Sequence, residues 1–420
     1  MHSYKFLLDL AIILLCTKLL GITTTKVRMP QVVGALMAGL LLGPAMLGVL
    51  SETEFLSAVA ELGVIVLMFS AGLETDIKEL KKSGKASLII AVCGVIVPIS
   101  GGFLCAYFFN KPEMIQSDAS CSILLQNIFI GVILTATSVS ITVETLKELG
   151  RLKTHSGNAI LGAAIIDDIL GIIALTVITS VADPSVRIGI VLAKVAAFFV
   201  FAIVVGFLFY KIYKYWMSNA DKVRRRHVIV AFVFCLLMAY LSERLFGVAD
   251  ITGAYIAGLI ISNTEMSEYL LAKFDVMSFL LLSPVFFANI GLSVTLPKMT
   301  PAIILFTLVL VIVAILTKVI GCGLGAKMCG YQSHQCKRIG VGMVSRGEVA
   351  LIVASKGTAL GLLGSAFVGP VVVMVVITTI ITPILLKVVY GSGAVAAVEA
   401  GEDITGPYDE LANVRREHQS

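Results

Sequence analysis

The sequence predicts an all-α polytopic membrane protein, and three observations carry that prediction: apolar composition, the length of the apolar runs, and the alternation of charge between them. Of the 420 residues, 58% are hydrophobic and only 14% are charged, and the mean hydropathy is +0.98. Soluble domains carry roughly 25% charged residues, which excludes an ordinary water-soluble enzyme, a nucleic-acid binder and a disordered scaffold. A span needs about 20 apolar residues, so the chain has room for a dozen or more and little left for a soluble domain.

Apolar runs separated by charge clusters, Gly-Pro breaks and polar loops predict thirteen spans, near 4–22, 29–43, 56–74, 86–109, 122–148, 156–181, 187–213, 226–245, 249–262, 270–292, 301–324, 337–358 and 364–388. The first run lacks a small-residue cleavage site and leads straight into the next, so it reads as a retained helix and not as a signal peptide. Lys78, Lys81, Lys82 and Lys85 follow span three, Arg151 and Lys153 follow span five, and Lys222 with Arg224, Arg225 and Arg226 precede span eight. Such loops are cytoplasmic by the positive-inside rule, whereas 44–55 and 182–186 carry almost no Lys or Arg. The N-terminus is therefore expected outside and the C-terminus inside a bacterial cytoplasmic membrane, with a polar, disordered tail over 391–420. The net charge of +5 belongs to these topology signals and not to a nucleic-acid surface.

The eight cysteines are scattered through apolar runs without CxxC spacing, which argues against a disulfide framework. Cys322, Cys329 and Cys336 recur every seven residues, but no His spacing accompanies them to make a metal site. There is no phosphate-binding GxxxxGK[ST] loop and no HExxH, so neither an enzyme nor a cofactor is expected. The five His lie in expected loops or at span ends; His155, near the turn between spans five and six, is a solvated loop residue or a tuner of pH response.

A self-match organises the chain. Gly34-Ala35-Leu36-Met37-Ala38-Gly39-Leu40 corresponds to Gly253-Ala254-Tyr255-Ile256-Ala257-Gly258-Leu259, an offset of 219 residues (253 − 34), and Gly72 and Gly291 keep that offset. Small residues at this spacing let helices approach closely. The offset carries span two onto span nine, seven spans on, so the two halves are expected to run in opposite directions. Two inverted six-helix repeats joined by a linker helix are an architecture of secondary transporters, whose site lies near the midplane where helices are interrupted.

Ionisable residues inside spans mark the chemistry. Span six carries Asp167-Asp168 near its centre, and insertion scales assign roughly 2.5–3.5 kcal/mol to each such group, so both must face protein or water. Adjacent helical residues point about 100° apart, which gives the two carboxylates different neighbours. Lys318 in span eleven needs a carboxylate at that depth, and either Asp could supply it; snorkelling to the cytoplasmic face is the other reading. Arg346 and Glu348 in span twelve are supporting charges that face different sides. Span five contains Thr135-Ala136-Thr137-Ser138-Val139-Ser140-Ile141-Thr142. Its hydroxyls are either helix glue or neutral oxygens for a hard cation such as Na⁺ where the helix unwinds. Asp250 caps the entrance of span nine or belongs to an outer ion funnel, the cap being the favoured reading.

With these residues the sequence resembles the monovalent cation:proton antiporters, most closely the NapA-like Na⁺/H⁺ exchangers. The matching pieces are residues 34–44, 67–84, 135–150, 163–171, 253–260, 284–292, Lys318 and 345–352, in the expected order over most of the membrane region. The GLExD-like and FFxxxGL-like stretches are shared widely; the tandem Asp with Lys318 is the specific part. Related glutathione-gated potassium efflux proteins carry Gln-Asp at the tandem position and a large nucleotide-binding domain, whereas this chain has Asp-Asp and a short tail.

The resemblance implies a NhaA/NapA-like homodimer. Residues 1–75 and 226–298 would form its dimer and scaffold domain, 76–182 and 299–390 its ion-transport core, and 183–225 the linker helix and basic loop. Spans five and twelve would be unwound where they cross. Asp168 is then the ion-binding, proton-carrying carboxylate and Asp167 the partner of Lys318, with Thr135, Thr137 and Ser138 as unwound-helix oxygens and Asp168 and Thr137 on the Na⁺. The function expected is electrogenic exchange of cytoplasmic Na⁺ or Li⁺ for external H⁺ by alternating access, with no cofactor beyond the transported ions. K⁺/H⁺ antiport or K⁺ efflux is the alternative, followed by Na⁺-coupled symport of an organic anion.

Overall fold

A computed structural model describes residues 4–26, 29–75, 77–111, 114–115, 117–182, 188–219, 224–264, 266–294 and 300–391, and every regular element among them is a helix. The first part of the chain folds as α1 (Lys5–Lys26), α2 (Gln31–Leu42), α3 (Glu54–Glu74), α4 (Ile77–Phe109), α5 (Ile123–Ile133), α6 (Val139–Glu148) and α7 (His155–Ala182). Then come α8 (Ile188–Asn219), α9 (Arg224–Phe246), α10 (Asp250–Ser262), α11 (Ser267–Met277), a π-helical turn (Ser278–Leu282) and α12 (Ser283–Leu292). The chain closes with α13 (Pro301–Met328), α14 (Ser333–Gly342), α15 (Glu348–Ala359) and α16 (Ser365–Tyr390). Lys222 and the expected tail beyond Gly391 lie outside the described residues.

Among the described residues, nine helical stretches are long and apolar enough to cross a bilayer. The thirteen expected spans all coincide with helix, but not with thirteen long helices. Spans two and nine are short, at 12 and 13 residues for α2 and α10. Spans five and twelve are each split into two half-helices, and the π turn interrupts span ten. Side-chain oxygens start several helices: Thr53 accepts from the Leu56 amide, Ser122 from Leu125 and Thr300 from Ile303, each satisfying an orphan donor of the first turn.

The helices sort by contact into two groups. In one, α4 packs against α13, α7 and α5, and α13 against α14 and α16; in the other, α3 packs on α10 and α12, α2 on α1 and α12, and α10 on α9. Glycines set the second group's spacing. A methyl group on Gly39 of α2 would overlap the Ala288 backbone of α12, and one on Gly291 of α12 would overlap Gly39 and Leu40. At the corresponding place, Gly72 of α3 and Gly258 of α10 admit only each other's backbone. These are four of the six glycines of the 219-residue offset, 39 with 258 and 72 with 291, and each half of the chain presses its glycine against the other half's. Because apolar surface gains little by leaving lipid, such close backbone approach is the attraction available to membrane helices.

Filling one of these contacts will have a measurable cost. Gly258→Leu is expected to destabilise the protein by about 1–3 kcal/mol through overpacking, read as a lower thermal midpoint in detergent. Gly84→Ala, where an added methyl meets nothing within 4 Å, should leave the midpoint unchanged or slightly higher.

Candidate functional site

The two split helices meet each other. The chain leaves helical geometry between Ile133 and Val139 and again between Gly342 and Glu348, in stretches whose Ser, Thr and Gly residues offer the backbone other partners. The Ser138 amide donates to the Ser345 carbonyl (2.8 Å), the Ser345 hydroxyl donates to the Ser138 carbonyl (2.9 Å), and Thr142 Oγ1 donates to the Gly342 carbonyl (2.7 Å). Gly347, extended at the start of α15, lies so close to Ser138 that a methyl there would sit 2.7 Å from its hydroxyl. In a bilayer, unwound backbone survives only where protein satisfies it, and here each break satisfies the other.

Asp167 of α7 sits beside this crossing. Its carboxylate accepts from Lys318 Nζ of α13 through both oxygens at 2.9 Å, and from Thr137 Oγ1 at 2.6 Å. The Lys318 and Asp167 side chains are 0% and 1% exposed. An ion pair sealed this completely loses its hydration on both sides, so removing either partner would strand a bare charge. Gly94 of α4 makes room for the pair: a methyl there would lie 2.6 Å from Cys322 Sγ, 3.6 Å from Lys318 Nζ and 3.8 Å from Asp167 Oδ1. Arg346, fully buried in the second break, donates to the carbonyls of Val344 (3.2 Å) and Ala314 (3.3 Å), while its own carbonyl accepts from Thr379. Its Nε has no hydrogen-bond partner among the described residues.

Asp168 has a different outlook. It is half-buried and lines a cavity of about 140 Å³ with Thr135, Ala136, Gly171, Ile172, Val349 and Lys356, where Asp167 also contributes to the wall. That cavity shares Ile172, Ala249, Val349, Ile352 and Lys356 with a larger one of about 680 Å³ that carries Glu52, Glu61, Glu243 and Asp250. The carboxylates of Glu61, Glu243 and Asp250 converge to within 4.8 Å of one another. Asp168 thus lines a cavity that neighbours an acidic one, with Lys356 in the wall of both, while Asp167 is paired with Lys318.

A sequence profile described as "Sodium/hydrogen exchanger, transmembrane" matches residues 11–390. The chain belongs to that family. It is similar to the Na⁺/H⁺-K⁺ antiporter GerN of Bacillus cereus, at 39% identity over 93% of this chain and 97% of the relative. A Na⁺/H⁺ antiporter of Enterococcus hirae is 36% identical over 91% of this chain and 97% of its own. Among solved structures, the fold matches the sodium proton antiporter MjNhaP1 of Methanocaldococcus jannaschii with a TM-score of 0.70 and 18% identity, covering 96% and 99% of the two chains.

In this family member the residues singled out in the sequence do not all converge. Asp167, Lys318 and Thr137 form one cluster, and Asp168 and Thr135 face one cavity. Thr135 donates to the Val132 carbonyl, and Ser138 Oγ pairs with Ser140 Oγ and takes no part in the cavity wall. The Glu348 side chain lies outside the described residues. Asp250 is the first residue of α10, after its N-cap Ala249; it accepts from the Ile251 amide at 2.7 Å and lines the acidic cavity. His155 stacks on Tyr331 at 4.8 Å. Sequence reasoning missed Gly94, Ser345, Thr379 and the acidic wall from Glu61 and Glu243, because each acts across helices far apart in the chain; the glycines of α4 opposite Lys318 were the one available signal.

The fit around the pair gives a direct expectation. Gly94→Ala should lower the thermal midpoint, by an overpacking penalty of about 1–3 kcal/mol. Adding Cys322→Ala, which removes the nearest atom, should recover most of it.

Proposed function

We propose that this chain is a secondary active antiporter that exchanges cytoplasmic Na⁺, or Li⁺, for external H⁺ by alternating access. The observation that carries the reading is the divergence of the two carboxylates: Asp167 held by Lys318 and Thr137, Asp168 lining a cavity that shares wall residues with an acidic one. A half-buried carboxylate in a membrane is strongly disfavoured while bare, so Asp168 holds either a proton or a cation. Either loaded form can cross, and the empty charged form is held back; this exclusion couples the two flows.

The remaining parts of the reading follow the same logic. Thr135, which lines the same cavity as Asp168, offers a neutral oxygen to the ion, and Thr137 reaches the ion once Asp167 releases it. The lysine-rich loops are cytoplasmic and the acidic mouth is external, which makes this an outward-facing arrangement with the N-terminus outside. The scaffold comprises 1–75 and 226–298 and the moving core 76–182 and 299–390, a division supported by the two contact groups. The glycine exchange between α2, α3, α10 and α12 supports an inverted repeat across thirteen spans. A homodimer formed through the scaffold completes the proposal. If the Asp167–Lys318 pair loses one proton when Na⁺ binds and regains it when Na⁺ leaves, a cycle moves more protons than cations and is electrogenic. K⁺ is the second candidate cation, since the name of the relative at 39% identity includes it.

Two measurements check this. In proteoliposomes, Asp168→Asn should abolish pH-driven Na⁺ uptake while the protein stays folded; sustained exchange would remove the assignment. Lys318→Gln should destabilise by about 3–5 kcal/mol, the range for stranding a buried charge, and reduce the charge moved per cycle in a solid-supported-membrane recording.

A further inference from the structure

The half-helix α6 begins at the crossing and ends in contact with the opposite helix group. Lys147, in its last turn, donates to Asp275 of α11 and lies 3.5 Å from Glu74 at the end of α3. Glu148, its last residue, accepts the backbone amides of Gln31 (2.8 Å) and Val32 (3.1 Å), the first two residues of α2. Those amides are orphan donors at the positive end of a helix, the place where a carboxylate is best received. Two adjacent residues of opposite charge thus tie one end of α6 to three helices of the scaffold.

These ties differ in kind from the central pair. The Lys147, Glu74 and Asp275 side chains are 26%, 11% and 37% exposed, against 0% and 1% for Lys318 and Asp167. Water can replace partners at that exposure, so the contacts hold weakly and can let go. Beside them lies a cavity of about 290 Å³, on the face away from the acidic mouth, lined by Thr17, Gln31, Glu144, Glu148, Ser283 and others. Ser140, Glu144 and Lys147 with Glu148 recur at helical spacing on one face of α6, so a polar stripe runs from this cavity toward the crossing.

We infer that Lys147 and Glu148 are positioning residues of the exchange cycle: they latch α6 to α2, α3 and α11 and hold shut the cytoplasmic route past Glu144 to the aspartates. The latch closes while Asp168 faces the acidic mouth and opens when the site turns inward. This rests on the alternating-access reading above. It adds the residues that set which side the site faces, and it makes Glu144 the first carboxylate exposed when the latch opens.

The test uses the full chain in proteoliposomes, comparing wild type with Lys147→Gln, Glu148→Gln, the double variant and Lys147→Arg. Hydrogen–deuterium exchange should rise over 31–36 and 139–148 in the Gln variants and fall over 249–253 and 349–353, because opening one mouth closes the other. Apparent KM for Na⁺ presented on the cytoplasmic side should fall roughly 3- to 10-fold as the inward-facing fraction grows, and Lys147→Arg should keep the wild-type pattern. Exchange that rises at both mouths would mean the contacts only brace the fold, and unchanged sidedness in both single variants would mean they gate nothing; either overturns the latch. Should the double variant fail to fold, the single variants carry the same comparison. Wild-type protein that moves no Na⁺ against a pH gradient would instead overturn the functional reading.

Discussion

A buried pair of opposite charges inside a bilayer constrains almost everything around it. Asp167 and Lys318 neutralise each other with essentially no access to water, and a bilayer offers neither charge an alternative partner. Helices α7 and α13 must therefore be held in fixed register, and α4 must come close enough to both to need a glycine at position 94. The third bond to the carboxylate comes from Thr137, in the break of span five. Once that break exists, its backbone needs satisfaction, and Ser345 of the second break supplies it at Ser138 while Thr142 in turn donates to the Gly342 carbonyl. The pair, the two breaks and the glycine contact form one connected solution to burying charge.

The same solution places Asp168 on a different wall. Being next in sequence to a carboxylate that is fully coordinated, it is turned by about 100° to another face of α7, where a cavity meets it. The fold thus gives two adjacent carboxylates different surroundings, one sealed against Lys318 and Thr137 and one half-buried at a cavity wall.

Rigid and releasable contacts are distributed accordingly. Backbone-to-backbone glycine contacts fix α2, α3, α10 and α12 as one block, while α6 touches that block through partly exposed ion pairs and a helix-end carboxylate. Both kinds of contact meet at α6: Val139, Ile141, Val143 and Leu146 are buried in one apolar core with Phe69 and Leu73 of α3, while the Lys147 ion pairs at its end sit where water can compete.

The sequence by itself determined the class of protein, the positions of the helices and the identity of the chemically unusual residues. Apolar run length and charge alternation are local quantities, and ionisable groups are rare enough in spans to stand out. It also carried the glycine repeat, since close packing needs small residues wherever the partner lies. What only the tertiary structure decided was which groups meet: that Lys318 chooses Asp167, that Ser138 answers Ser345 and not the cavity at Asp168, and that Lys147 and Glu148 reach α11 and α2. Glu61, Glu243 and Asp250 likewise come from three helices, and nothing in their local sequence says that they converge. Apart from Glu243 and Asp250, which are close in sequence but on different helices, these contacts join residues tens to hundreds of positions apart, and hydropathy and periodicity carry no information about a partner on another helix.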